Sequence, residues 1–141
     1  MNKILDQKTT SLNSDVDLTI EFREGTFNNH YVFEIKDHVT GNVECRIPVS
    51  IYNVVQIYNY LSSLLHVDRS VPINYQTRIE LNTGGSYLDF FYNRGNHIRM
   101  QVSGECINVD HIIYDINVKN VAELLEYFVL TFKGLKTKGE D

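Results

Sequence analysis

The sequence predicts an α+β fold in which two helices cover one face of an antiparallel meander sheet of about seven strands. Two patterns predict it. Most strand-like segments alternate apolar with polar side chains, which is typical of an antiparallel sheet with only one covered face. Two longer segments instead repeat apolar residues every three or four positions, which indicates amphipathic helices. The predicted element order is β-β-β-α-β-β-β-β-α, in two layers.

Three strands are predicted in the first part of the chain, separated by turn-rich segments at 23–29 and 37–42. Polar side chains at alternate positions are Asp17, Thr19 and Glu21, then Glu34 and Lys36, then Glu44 and Arg46. The apolar faces of these strands are Val16, Leu18, Ile20 and Phe22, then Tyr31, Phe33 and Ile35, then Val43, Cys45, Ile47 and Val49. The first half is therefore expected to open as a three-stranded meander.

A helix is predicted over about residues 50–66, because the apolar spacing changes there behind Ser50, a residue type that caps helices. Its apolar positions are Ile51, Val54, Val55, Tyr58, Leu61 and Leu65. These positions extend over more than a narrow stripe once Ile57, Tyr60 and Leu64 are added. We therefore expect the helix to be well covered.

The second half repeats this organisation. Alternating segments predict strands near 78–82, 87–92, 97–102 and 111–116, and Asn117 or Asn120 is expected to cap a closing helix that ends at Gly134. Aligned over twelve positions, the two helices share one Asn, one Val and one Tyr. Either an old duplication or a shared packing requirement explains that similarity.

The domain is predicted to span residues 14–134, between a flexible arm at 1–13 and a flexible tail at 135–141. The chain has 13 Lys and Arg against 18 Asp and Glu, a net charge of −5. Five lysines and three acidic residues in 1–13 and 133–141 give +2, which leaves −7 for 14–132. Such a body disfavours general nucleic-acid binding, which requires a basic surface.

No apolar run approaches the eighteen residues of a membrane helix, and the first residues lack the apolar core of a signal peptide. The sequence thus predicts a soluble, cytoplasmic protein without membrane contact. Cys45 and Cys106 are too few for a disulfide framework and are expected to be buried thiols.

The pattern selects no catalytic residue, no cofactor-binding residue and no metal ligand, and the protein is predicted not to be an enzyme. The five histidines show no helical metal-ligand spacing. The segment 83–86 is the nearest approach to an anion cradle, but it lies between two strands and is better explained as a hairpin turn.

The polar face of the second set of strands is the candidate partner-binding surface. It is expected to place Tyr87, Asp89 and Phe91 beside His97 and Arg99, with Arg78 and Glu80 one strand away. Aromatic residues and arginine are enriched at protein interfaces. The alternative is that Tyr87 and Phe91 cover a sheet edge or pack under a loop.

In element order the chain resembles small cytoplasmic immunity proteins of bacterial polymorphic-toxin systems. The similarity lies in the junction at 47–50, the helix through Val54, Ile57, Leu61 and Leu64, and the segment 121–125. This resemblance implies a protein that neutralises a toxin by tight, acidic, shape-matched binding, without a cofactor.

We therefore expect a non-enzymatic module that binds and inhibits a protein partner, and the acidic body favours a basic one. The first alternative is a phage-encoded inhibitor of a host defence system or enzyme. An alternative of another class is a structural or assembly subunit of a phage or larger complex, whose sheet edges would pair with copies of itself. The sequence leaves the oligomeric state open.

Overall fold

The computed structural model describes residues 3–26, 29–65, 75–81, 85–93, 97–104 and 111–140. Within these ranges the chain forms an α+β fold, as predicted, with two helices and eight strands. The elements are β1 Ile4–Ser11, β2 Val16–Arg23, β3 His30–Asp37, β4 Val43–Val49, α1 Ile51–Leu64, β5 Tyr75–Glu80, β6 Ser86–Asn93, β7 His97–Gly104, β8 His111–Ile116 and α2 Val118–Glu140.

The strands form two antiparallel four-stranded sheets, in the orders β1-β2-β3-β4 and β5-β6-β7-β8. The prediction of one meander sheet of about seven strands is therefore corrected to two sheets of four strands each. Alternation identifies the buried face of each strand but not its hydrogen-bonded neighbour. The helix α1 separates the two sheets along the chain, so each half consists of four strands followed by a helix.

The predicted flexible arm contains a strand. Residues Ile4–Ser11 pair with β2, and the Thr9 and Thr19 hydroxyl oxygens lie 2.8 Å apart. Most β1 side chains are exposed, because this strand lies at the sheet edge and is held through its backbone. Such a strand needs no apolar alternation, which explains why the sequence pattern did not reveal it.

The predicted helix end at Gly134 is also corrected, because α2 continues to Glu140, within the segment 135–141 that the sequence analysis treated as a tail. An isolated glycine inside a helix costs only about 1 kcal/mol relative to alanine. It is therefore a weak stop signal when no proline follows it.

Local hydrogen bonds determine where both helices begin. The Asn53 amide donates to the Ser50 side chain at 3.1 Å, which confirms Ser50 as the cap of α1. The Asn120 amide donates to Asn117 Oδ1 at 3.0 Å, which identifies Asn117 as the cap of α2. The fully buried Asn53 side chain also donates to the Glu80 carbonyl oxygen at 3.0 Å, and this bond joins α1 to β5.

One hydrophobic cluster contains residues from both sheets and both helices. Tyr60 of α1 packs against Phe90 of β6 with ring centroids 5.3 Å apart, and Phe128 of α2 meets Tyr31 of β3 edge-on at 5.5 Å. Each helix thus contacts the sheet of the other half. Cys45 is buried in this core as expected, whereas Cys106 lies outside the described residues. Among the described helices, none is long and apolar enough to cross a membrane.

Candidate protein-binding face

The register of the second sheet brings six of the seven predicted residues onto its outer face. Across the ladder, Arg78 is opposite Asp89, Glu80 is opposite Tyr87, and Phe91 is opposite Arg99. The seventh residue, His97, is paired with Asn93 on β7, but its side chain lies outside the described part of the structure. We call the surface formed by Arg78, Glu80, Tyr87, Asp89, Phe91 and Arg99 the outer face of the second sheet.

Arg78 is held in a fixed position on this face. Its Nε donates to Asp89 Oδ1 at 2.8 Å and its Nη2 donates to Asp89 Oδ2 at 3.2 Å. The guanidinium carbon lies 4.8 Å from the centroid of the Tyr87 ring. The hydrogen bond to Asp89, followed by the charge of that carboxylate, raises the pKa of Arg78 above its usual value. Planar guanidinium groups favour this combination of a bidentate carboxylate and a stacked ring.

The Asp89 carboxylate that holds Arg78 is itself buried. Its residue is only 1% exposed, whereas the Arg78 side chain is 60% exposed. A buried carboxylate is tolerated when hydrogen bonds and an opposite charge compensate for the lost hydration. Asp89 therefore holds the exposed guanidinium of Arg78 beside the Tyr87 ring.

Tyr87 and Phe91 are partly buried on β6, which lies between β5 and β7 in the sheet. The alternative that these rings cover a sheet edge is therefore wrong. The alternative that they pack under a loop concerns segments 82–84, 94–96 and 105–110, which lie outside the described residues.

The same face continues onto β8 through residues that the sequence prediction did not include. Arg99 Nε lies 3.4 Å from Asp115 Oδ1, and the two side chains are 67% and 66% exposed. Such an exposed pair contributes little to stability. Ile113 is 50% exposed and lies opposite Gln101. The signal that could have identified these β8 residues is the alternation of Ile112, Tyr114 and Ile116, which leaves Ile113 and Asp115 on the opposite side of the strand.

The outer face of the first sheet carries a different arrangement, an ion-pair network. Its buried carboxylates are Glu21 and Glu34, each 6% exposed. Arg46 pairs with both of them, Arg23 Nε lies 2.8 Å from Glu21 Oε1, and Lys36 Nζ lies 3.0 Å from Glu34 Oε1. This network satisfies its own charges and is better suited to stabilising the sheet than to binding a partner.

Replacing Glu34 with Gln should weaken the dependence of stability on acid pH. Burial acts to raise the Glu34 pKa, but hydrogen bonds and charges from Lys36 and Arg46 outweigh it, so the folded-state pKa lies below its usual value. The ionised carboxylate therefore stabilises the fold above the unfolded-state pKa of about 4.3, and this contribution is lost as pH falls through the folded-state pKa. We expect E34Q to lower the free energy of unfolding by about 1 kcal/mol at neutral pH.

Urea unfolding between pH 3 and 6 measures this effect. The difference in the free energy of unfolding between wild type and E34Q should narrow on acidification. The control E24Q replaces an exposed carboxylate, and its free energy of unfolding should not show this pH-dependent difference from wild type. A constant gap between wild type and E34Q at every pH would contradict the role of the ionised Glu34.

The Asp37 and His38 neighbours in sequence do not pair with each other. His38 Nδ1 instead lies 2.9 Å from Asp17 Oδ2, and that hydrogen bond, with the Asp17 charge, raises the His38 pKa.

Among the described residues, no group of three or more His, Cys, Asp or Glu side chains is placed to hold a metal ion. The sequence matches no protein-family model and no curated protein at a significant level.

Proposed function

We propose that the protein binds and neutralises a protein partner through the outer face of the second sheet, and does not act as an enzyme. The observation that carries this proposal is the ordered group formed by Arg78, Tyr87 and the buried Asp89. Tyr and Arg are prominent among interface residues that contribute most to affinity. Because Asp89 already fixes Arg78, less side-chain freedom is lost when a partner binds.

The charge distribution favours a basic partner. Each arginine in the described part of the chain, Arg23, Arg46, Arg78 and Arg99, already pairs with a carboxylate. Exposed carboxylates such as Glu24, Glu44, Glu80 and Glu123 contribute to the net charge of −7 of residues 14–132. An acidic surface accelerates association with a basic protein, and added salt reduces the association rate. Both an immunity protein and a phage-encoded inhibitor would have these properties, and the identity of the partner distinguishes them.

Replacing Tyr87 and Phe91 together with Ser is expected to abolish partner capture while the protein stays folded. Both rings are only partly buried, so we expect cooperative unfolding with a loss of at most about 2 kcal/mol. The measurement is affinity capture from the native cell, followed by reconstitution of the complex from purified components. Wild type should form a one-to-one complex that salt weakens and that inhibits the partner.

Tyr52 provides a matched control, because this tyrosine is 67% exposed on α1, which packs against the inner side of the second sheet through Tyr60 and Phe90. The variant Y52S should bind the partner as wild type does. Equal binding by wild type and the Y87S/F91S variant would contradict the proposed surface. Self-association of the purified protein, without capture of another protein, would instead favour the structural-subunit alternative.

A further inference from the structure

A second surface feature lies where α2 crosses the first sheet. It is a pocket of about 260 Å³ whose walls include Leu5, Asp6, Phe22, Tyr31, Phe128 and Thr131. These residues come from β1, β2, β3 and α2. The pocket therefore exists only because β1 pairs with β2 and because α2 packs over the resulting sheet.

Three aromatic rings form much of this wall. The Phe22 and Tyr31 centroids are 4.9 Å apart at an interplanar angle of 33°, and the Tyr31 and Phe128 centroids are 5.5 Å apart at 83°. Phe128 and Tyr31 are almost fully buried, so their positions are fixed by the core. Grouped aromatic rings attract cations, because each ring face carries partial negative charge.

Asp6 supplies the one charged side chain among the described residues that line this pocket. Its Oδ2 accepts a hydrogen bond from the Tyr127 hydroxyl at 2.6 Å, and its Oδ1 accepts one from the Gln7 amide at 2.8 Å. Within the described ranges, no basic side chain forms an ion pair with Asp6. The nearby Lys8 Nζ instead lies 4.9 Å from the centroid of the Tyr127 ring.

The pKa of Tyr31 agrees with this geometry. Burial, and then the negative charge of Asp6, raise the pKa of Tyr31 to about 12. The ring therefore stays neutral at physiological pH. The carboxylate is close enough to influence the interior of the pocket electrostatically, and a cation there would interact favourably with it.

We propose that this pocket binds a small organic ammonium group, with its alkyl surface against Leu5 and the partly buried ring of Phe22 and its positive charge near Asp6. A volume of about 260 Å³ is slightly below the range of roughly 300 to 1,000 Å³ typical of pockets for drug-sized ligands. It therefore suits a head group better than a large molecule. The site is separate from the outer face of the second sheet and does not depend on the function proposed for that face.

Titration with choline, followed by NMR and calorimetry, tests the proposal. The matched ligand is 3,3-dimethyl-1-butanol, which has the same shape as choline but no charge. We expect saturable binding of choline and binding of the neutral analogue weaker by at least about tenfold. Nα-Acetyl-trimethyllysine methylamide is titrated in parallel. Comparison of its affinity with that of choline shows whether a modified lysine side chain or a free small molecule fits the pocket better. Tighter binding of either ligand supports the site.

Two variants locate the binding. D6N removes the charge and F22L removes one ring while keeping an apolar side chain, and each should weaken choline binding by about tenfold. Because Asp6 is partly exposed, D6N should remain folded. The control D15N removes an exposed carboxylate outside the pocket and should leave binding unchanged. The absence of saturable choline binding, equal binding of the neutral analogue, or unchanged binding by D6N would each overturn the proposal.

Discussion

Ending the chain at Lys119 should abolish the folded state. This truncation removes nearly all of α2, including its buried side chains Val121, Ala122, Leu124, Leu125, Phe128 and Val129. At about 1.5 to 3 kcal/mol for each large apolar side chain, the lost burial amounts to about 10 kcal/mol. The net stability of a domain is only about 5 to 15 kcal/mol, and the truncation would also expose Tyr31 and the core around α1.

Circular dichroism and urea unfolding measure the outcome. The truncated chain should show neither native-like helix content nor a cooperative transition. A chain ending at Gly134 is the control and should remain folded, because the buried α2 residues named above all precede that position. Cooperative unfolding of the chain that ends at Lys119 would contradict the packing of α2 against α1 and the first sheet.

Replacing Gly104 with Ala should strongly lower the free energy of unfolding. Gly104 has a φ of +125°, which side chains rarely adopt, and an added Cβ would lie 2.1 Å from the Gly85 carbonyl oxygen and 2.5 Å from Ser86 Cα. Both neighbours are backbone atoms at the start of β6, where Ser86 is paired with Gly104 of β7 and Gly85 immediately precedes the strand. The clash cannot be relieved by rotating a side chain, so we expect a loss of at least about 3 kcal/mol.

Gly41 provides the matched control for this effect. Its φ is +75°, but an added Cβ would meet no atom within 4 Å. The variant G41A should therefore lose only the cost of the left-handed backbone, about 1 to 2 kcal/mol. Urea unfolding of both variants measures the difference, and a G104A variant no less stable than G41A would contradict the close approach of the two strands.

The sequence predicted those elements whose two faces differ in polarity. Val16, Leu18 and Ile20 alternate with polar residues because β2 has one face in the core, and the structure buries all three. The change of period at Ser50 likewise predicted α1, since capping and amphipathic spacing are both local properties. Local patterns of this kind require no knowledge of the neighbouring strand.

Features that depend on pairing were not visible in the sequence. The β1 strand is held by backbone bonds to β2, so its mostly exposed side chains show no apolar period. The division into two sheets depends on which strands pair after α1, and each strand would show the same alternation in one sheet or two.

The candidate face was predictable for the same reason that most strands were, because alternation alone places Tyr87, Asp89 and Phe91 on one side. The burial of Asp89 beneath Arg78 was not, since it depends on the register between β5 and β6. The aromatic pocket was even harder to predict from the sequence. Asp6 reaches the neighbourhood of Tyr31 only through β1, a strand that the pattern did not predict.

Hydroxyl-radical footprinting of the complex with its captured partner tests the proposed binding face most directly. This method reports the solvent exposure of individual aromatic side chains. The account predicts that Tyr87 and Phe91 become protected when the partner binds, while Tyr52, on the exposed side of α1, keeps its reactivity. Protection of Tyr52 with unchanged reactivity at Tyr87 and Phe91 would contradict it.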